Sequence, residues 1–238
     1  MIWQPSTSIW VPPARDLFPG REGAIGYCAA PVARRRSVTP GGISGPTDFA
    51  TDLFAGTNGT DLNAHTADLG GSWTRQTTNG AFKLDGSGRV YCSHNDGGPL
   101  DCYTIGATPP SADYTVRGTF HAVDSNSYRF GLVSRFVDNA HYYCVEFSNG
   151  VFALEKNNSG LSIIGTPTTF SFNLFSTNDA VVDLIIAGTA LTVKINGVTR
   201  ITATDSSYAS AGHAGLYTSG SATTQTTGVH LMAFHAFA

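Results

Sequence analysis

The 238-residue sequence has little charge and very little lysine. Charged residues make up 13% of it, and its three lysines are Lys83, Lys156 and Lys194. Long amphipathic helices are built largely from Ala, Leu, Glu and Lys, so this composition argues against a helical bundle. The net charge of −3 argues against a general nucleic-acid binder. No apolar run approaches the roughly 20 residues of a membrane span. We therefore expect neither a nucleic acid nor a membrane as a partner.

Motifs of common catalytic and metal sites are also missing. The sequence has no C-x-x-C pair, no G-x-S-x-G elbow, no P-loop and no H-E-x-x-H. The stretch 94–98, which contains His94 and Asp96, offers calcium oxygen ligands together with Asp101. Because only two carboxylates are present there, an ordinary Asp-Gly turn is favoured. We predict no metal and no cofactor, with calcium as the alternative.

The four cysteines bear on whether the protein occupies a reducing or an oxidising compartment. Cys92 and Cys102 flank a turn-forming stretch and could face each other across a hairpin, whereas Cys28 and Cys144 lie far from it in sequence. The stretch 1–11 lacks the charged flank and apolar centre of a secretory signal. Without export, buried reduced thiols are favoured over a Cys92–Cys102 disulfide. The bridge remains the alternative.

Composition changes near residue 47. Residues 1–46 hold seven prolines, five arginines and two acids, whereas the rest carries nine basic and fifteen acidic residues. A segment of this kind has too few periodic apolar residues for a core of its own. We predict an extended, Pro/Arg-rich anchoring arm over 1–46 and a separate domain over 47–238. The arm's anchor side chains are expected to be Trp3, Trp10, Phe18, Arg34, Arg35 and Arg36.

From residue 47 onward apolar residues alternate with polar ones, as in half-buried strands. Tyr114, Val116 and Phe120 share one face, and so do Tyr143, Val145 and Phe147. Turn residues recur about every ten positions, which is typical of a β-sandwich or barrel. Further strands are predicted at about 71–77, 80–85, 88–94, 100–105, 168–175, 180–187, 212–218 and 228–237.

Two Asn-Gly pairs predict β-hairpins. A two-residue turn at 149–150 pairs Phe147 with Phe152 and Val145 with Leu154. At 196–197 a strict two-residue turn would pair Val193 with Arg200. We therefore predict a three-residue loop over 196–198, which pairs Val193 with Ile201 and keeps apolar partners on one face.

Several of these runs resemble a known family. The stretches 131–135, 142–147, 191–197 and 211–217 are similar to concanavalin A-like, or laminin G-like, jelly-roll domains. The resemblance covers 47–238 and implies an all-β, antiparallel jelly-roll sandwich. The family includes lectins, glycanases, adhesion modules and virion proteins, and a fold alone does not choose among them.

The resemblance to glycanases would require acidic residues that alternate along one strand. No two acidic residues in this sequence lie two positions apart. In the predicted register Glu155 lies opposite Cys144 and diagonal to Glu146, so a carboxylate pair for sugar hydrolysis is the least favoured reading. Asp183 lies within an apolar strand, and we expect it to be a paired, structural acid. The protein is therefore predicted not to be an enzyme.

Glycan binding needs an aromatic ring for stacking and fixed polar groups beside it. The candidates are Trp73, Tyr103, Arg135, Asn139 and Tyr142. The alternative to a glycan-binding role is a core position for Trp73 and a place on the sheet surface for Tyr142.

The signal-less chain, the arm and the enzyme-poor sandwich together favour a virion structural protein, most simply of a tailed phage. The arm would bind capsid or tail proteins, as a decoration protein, head fibre or tail accessory, and the domain is expected to form a homo-oligomer. A carbohydrate-binding module for host-surface glycans is the alternative, and both roles can coexist. We expect the protein to be made in the host cytoplasm and found in the virion.

Overall fold

The computed structural model describes most of the predicted domain. The described residues are 46–77, 82–93, 101–124, 129–172, 179–218 and 223–238. The predicted arm anchors, Cys28 and the calcium candidates His94 and Asp96 lie outside them, as does the side chain of Asp101. Ser44–Ala238 forms one compact unit.

The described residues form sixteen strands and one short 3-10 turn, Leu62–Ala64, and they contain no α-helix. Within them, no helix is long and apolar enough to cross a membrane. The strands are β1 Asp48–Asp52, β2 Trp73–Arg75, β3 Phe82–Leu84, β4 Val90–Cys92, β5 Asp101–Ile105, β6 Tyr114–Ala122, β7 Phe130–Asp138, β8 His141–Ser148, β9 Val151–Asn158, β10 Leu161–Ile163, β11 Thr168–Thr169, β12 Asp179–Ala187, β13 Ala190–Ile195, β14 Val198–Thr204, β15 His213–Thr218 and β16 Val229–Phe237.

Two antiparallel sheets build the domain. The first sheet has the order β14-β13-β12-β6-β16-β4-β3, and β1 also pairs with β16. The second has the order β10-β9-β8-β7-β15-β5-β2, and β11 also pairs with β9. The crossovers between strands distant in sequence are those of a jelly roll, so the predicted all-β sandwich is confirmed.

The core lies between the two sheets because the predicted alternation holds. Along β6, buried and half-buried residues alternate without a break. Tyr114, Val116 and Phe120 point inward, and the Phe120 ring packs edge-on against Phe130 with a centroid separation of 5.8 Å. Each fully buried side chain of this size contributes roughly 1.5–3 kcal/mol. The sandwich is thus held mainly by aromatic and branched aliphatic packing.

The Asn149-Gly150 hairpin is confirmed in turn and register. Phe147 pairs with Phe152 and Val145 with Leu154. Asn149 and Gly150 have φ angles of 51° and 78°, the left-handed values that a tight hairpin turn needs.

The second hairpin has the predicted pairing but a different turn. Val193 pairs with Ile201 as predicted, yet Ile195 pairs with Val198, so Asn196-Gly197 is a two-residue turn. A bulge at Arg200 on β14, opposite Val193 and Lys194, takes up the residue that the predicted loop would contain.

The alternative of a Cys92–Cys102 disulfide is wrong. Cys92 lies on β4 of the first sheet and Cys102 on β5 of the second, so they do not face each other across a hairpin. Both side chains are buried thiols without a disulfide, as is that of Cys144, which agrees with the favoured reduced-thiol interpretation.

Candidate functional site

A cavity of about 210 Å³ opens at one end of the sandwich. Its walls come from the β5–β6 loop, the β12–β13 turn and the β14–β15 loop, and one residue of β7 closes its base. We call it the rim pocket. Its main lining residues are Ala112, Asp113, Arg135, Thr189, Ser206 and Tyr208.

An irregularity in β7 brings Arg135 to this pocket. The register of β7 against β8 shifts between Ser134 and Asp138, and Arg135 itself has a φ of 49°. Its backbone N–H donates to the Tyr114 hydroxyl at 2.6 Å instead of a neighbouring strand. The β14–β15 loop approaches so closely here that a β-carbon at Gly212 would overlap the Arg135 backbone. Glycine is therefore needed for the loop to reach the pocket.

The Arg135 guanidinium ties the pocket walls together. The side chain is only 2% exposed. Its Nε donates to the Ala112 carbonyl at 2.9 Å and its Nη1 to the Tyr208 carbonyl at 2.6 Å. Its Nη2 donates to Asp113 Oδ1 at 3.2 Å. A planar, always charged group with several donors suits this role, since one side chain satisfies acceptors on two loops.

The carboxylate of Asp113 is held in place yet open to solvent. Its Oδ1 accepts the bond from Arg135 and a second from the Gly188 N–H at 2.8 Å. The side chain is 58% exposed, and Oδ2 accepts no hydrogen bond from the described residues. Asp113 therefore presents an oriented acceptor at the pocket mouth.

A polar network below the pocket fixes the β14–β15 loop. Asp205 accepts hydrogen bonds from the Tyr143 hydroxyl and from Lys156 Nζ, both at 2.7 Å, and from the Ser207 N–H at 2.8 Å. Burial alone would raise the pKa of the Asp205 carboxyl, but these bonds together outweigh it and lower the pKa. The carboxylate thus stays ionised at neutral pH and holds the Tyr208 wall in position.

A second cluster of buried side chains, including two cysteines and two tyrosines, lies on the face of the second sheet that points away from the main core. We call it the outer-face cluster: Cys102, Val133, Phe136, Tyr142, Cys144 and Tyr217. All six are buried, and the Tyr217 hydroxyl has no hydrogen-bond partner among the residues that the structure describes. Tyr142 therefore does not present a ring to a sugar, and its predicted stacking role is wrong.

The two glutamates predicted to lie diagonally are found beside this cluster. Glu155 pairs with Cys144, and Glu146 with Ala153, which confirms the predicted register. Burial and the charge of Glu146 raise the pKa of Glu155 to about 7. The Cys144 thiol lies 3.9 Å from Glu155 Oε2. Neither carboxylate lines the rim pocket.

Two other predicted stacking residues are core residues. The Trp73 indole N–H donates to the buried Asp52 carboxylate at 2.7 Å, and its ring packs on Phe234. The Tyr103 ring is fully buried against Phe82. The core position given as the alternative for Trp73 is thus confirmed, and neither ring is available for stacking, because inward positions of an alternating strand take the large aromatic residues.

Of the five predicted glycan-binding residues, only Arg135 lines the rim pocket. Asn139 is exposed at the β7–β8 turn, where it donates to the Gln76 carbonyl at 2.6 Å. Asp113 and Tyr208 were missed because neither stands in a recognisable motif. The signal available for Asp113 was Ser111 two residues earlier, whose hydroxyl accepts the Asp113 N–H.

The predicted pairing of Asp183 is confirmed. Arg117 donates to both carboxylate oxygens, from Nε at 2.5 Å and from Nη2 at 3.1 Å. Both residues lie on the first sheet, where β6 pairs with β12. The bidentate pair also raises the pKa of Arg117.

The predicted anchors Trp3, Trp10, Phe18 and the 34–36 arginines lie outside the described residues. Anchoring on capsid or tail proteins, homo-oligomer formation and presence in the virion therefore stay predictions.

No protein-family model matches the chain, and no curated protein matches it. Solved structures share its fold. A carbohydrate-binding module, CBM66 from Bacillus subtilis, is 15% identical with a TM-score of 0.54, over 70% of this chain and 95% of that one. A Bacillus subtilis protein of unknown function with a galectin-like fold is 11% identical with a TM-score of 0.53, over 77% and 96% of the two chains.

A third structure comes from work on endo-acting O-glycanases with which members of the human gut microbiota initiate mucin breakdown. It is 10% identical with a TM-score of 0.53, over 81% of this chain and 99% of that one. At such identities the shared property is the fold, an antiparallel jelly-roll sandwich.

Proposed function

We propose that this domain is a non-catalytic carbohydrate-binding module and that the rim pocket is its binding site. The observation that carries the proposal is the Asp113 carboxylate, which Arg135 and the Gly188 N–H orient while more than half of it stays exposed. A fixed carboxylate is an acceptor for sugar hydroxyl groups and loses little freedom when it binds.

The remaining walls suit a sugar ring. Thr189 and Ser206 carry hydroxyl groups, and Ala112, Tyr208 and Ala209 supply apolar surface. Small-ligand sites combine a few placed polar groups with an apolar lining in this way. The cavity of about 210 Å³ is small and suits a single ring.

The fold neighbours support the same class of function. CBM66 is a carbohydrate-binding module, and another neighbour comes from work on O-glycanases. In this chain the carboxylates Glu146 and Glu155 lie beside the buried outer-face cluster and not in the rim pocket, which favours binding over hydrolysis.

A glycan array followed by calorimetric titration of the hits tests the proposal. Asp113→Asn should weaken binding at least tenfold because a neutral amide is a poorer acceptor for a hydroxyl. Asp61→Asn is the matched control, since Asp61 is 53% exposed and sits in a surface pair with Lys83. It should change affinity less than twofold. An array without hits, or equal binding by Asp113→Asn, would contradict the proposal.

A further inference from the structure

A second cavity, of about 300 Å³, adjoins the rim pocket. It is lined by Pro46, Asp113, Tyr114, Thr115, Ile186 and Phe237. Asp113 belongs to the lining of both cavities, so the two meet at this residue. Together their volumes reach the range of about 300–1,000 Å³ that is usual for small-molecule sites.

The second cavity contains the partly exposed aromatic ring that the rim pocket lacks. Phe237 is half-buried at the end of β16. The Arg117 guanidinium carbon lies 5.3 Å from its ring centroid, and Arg117 is itself held by both oxygens of Asp183. A cation–π contact of this kind fixes the ring before any ligand arrives.

The far wall of this cavity is also rigid. Two backbone hydrogen bonds join Thr47 and Ala238, from the Thr47 N–H at 3.0 Å and from the Ala238 N–H at 3.3 Å. They hold Pro46 beside the end of β16. Thr115, half-buried on β6, adds a hydroxyl group to the apolar surface of Ile186 and Phe237. The mixture of one aromatic ring, one hydroxyl and the shared residue Asp113 matches a sugar better than a purely apolar ligand.

We infer that the binding site takes two linked sugar residues, one in the rim pocket and the next on Phe237, with Asp113 between them. This inference rests on the proposed function and adds the length of the ligand to it. Phe237 is then a specificity-determining residue that a single sugar does not contact.

Paired ligands test the inference on the full chain. The probes are methyl α-glucoside with maltose, methyl β-glucoside with cellobiose, and methyl β-galactoside with lactose, each titrated by calorimetry. The disaccharide of the preferred pair should bind at least tenfold more tightly than its methyl glycoside. Phe237→Ala should abolish that gain and leave the affinity for the methyl glycoside within twofold.

A conservative variant and a stability measurement complete the design. Phe237→Trp keeps an aromatic face and should keep the gain, and thermal unfolding of each variant establishes that it is folded. Equal affinity for the two members of the preferred pair would overturn the inference and leave the proposed function standing. A loss of affinity in Phe237→Ala that is equal for the methyl glycoside and the disaccharide would have the same consequence. Failure of every probe to bind would overturn the inference, and a glycan array without hits would overturn the proposed function as well.

Discussion

Replacing Arg135 by methionine should destabilise the domain by about 3 kcal/mol. Methionine keeps much of the apolar stem but donates no hydrogen bond, so the Ala112 and Tyr208 carbonyls both lose their donors. Hydrogen bonds to a charged group are worth roughly 1.5–3 kcal/mol each. The bond to Asp113 adds little, because that side chain is exposed. Removing a buried charge also gives back part of its desolvation cost, which brings the sum down to about 3 kcal/mol.

Urea unfolding at pH 7 measures this loss as a shift of the midpoint at constant slope. Arg135→Lys retains the charge but cannot reach three acceptors in one plane, so an intermediate loss of about 1–2 kcal/mol is expected. Arg200→Met is the control because Arg200 is exposed, and it should stay within about 0.5 kcal/mol of the parent protein. A loss below about 1 kcal/mol in Arg135→Met would show that the guanidinium does not hold the loops together.

Two further predictions concern pH. The pKa of Glu155 is raised from 4.5 to about 7, so its ionisation costs stability progressively as pH rises from about 4.5 to about 7. Glu155→Gln should therefore be more stable than the parent by about 1–2 kcal/mol at pH 8, after a discount for solvent exposure, and equal to it at pH 4. Unchanged urea midpoints at both pH values would refute this. His230 is fully buried, and burial lowers its pKa, so its protonation costs stability as pH falls below about 6.5, in the opposite direction to the Glu155 effect. Relative to the parent, His230→Gln should therefore gain stability between pH 7 and 5, and parallel pH profiles of the two proteins would contradict the assignment.

The sequence predicts the sandwich well because its determinants are local. Alternation along β6 and the Asn-Gly turn at 149–150 each depend on a few neighbouring residues. The turn at 196–197 shows the limit of such reasoning. A longer loop and a two-residue turn with a bulge give the same Val193–Ile201 pair, and hydrophobic pairing alone does not distinguish them.

The site was much less predictable than the fold. Its parts come from separate loops, and Asp113 meets Arg135 only because a bulge in β7 turns the arginine toward the sandwich end. Large aromatic residues are the natural candidates for stacking on a sugar. In a sandwich, however, the strands bury most of these residues, as Trp73 and Tyr103 show. Phe237 is not predictable as a binding residue, because nothing in the sequence of the last strand indicates which of its ends remains accessible to solvent.

The most direct test of the carbohydrate-binding proposal is a crystal structure of the full chain soaked with its best array hit. We predict that one sugar ring occupies the rim pocket, with a hydroxyl group within hydrogen-bond distance of Asp113 Oδ2. A sugar bound instead against the outer face of the second sheet, with the rim pocket empty, would contradict the proposal.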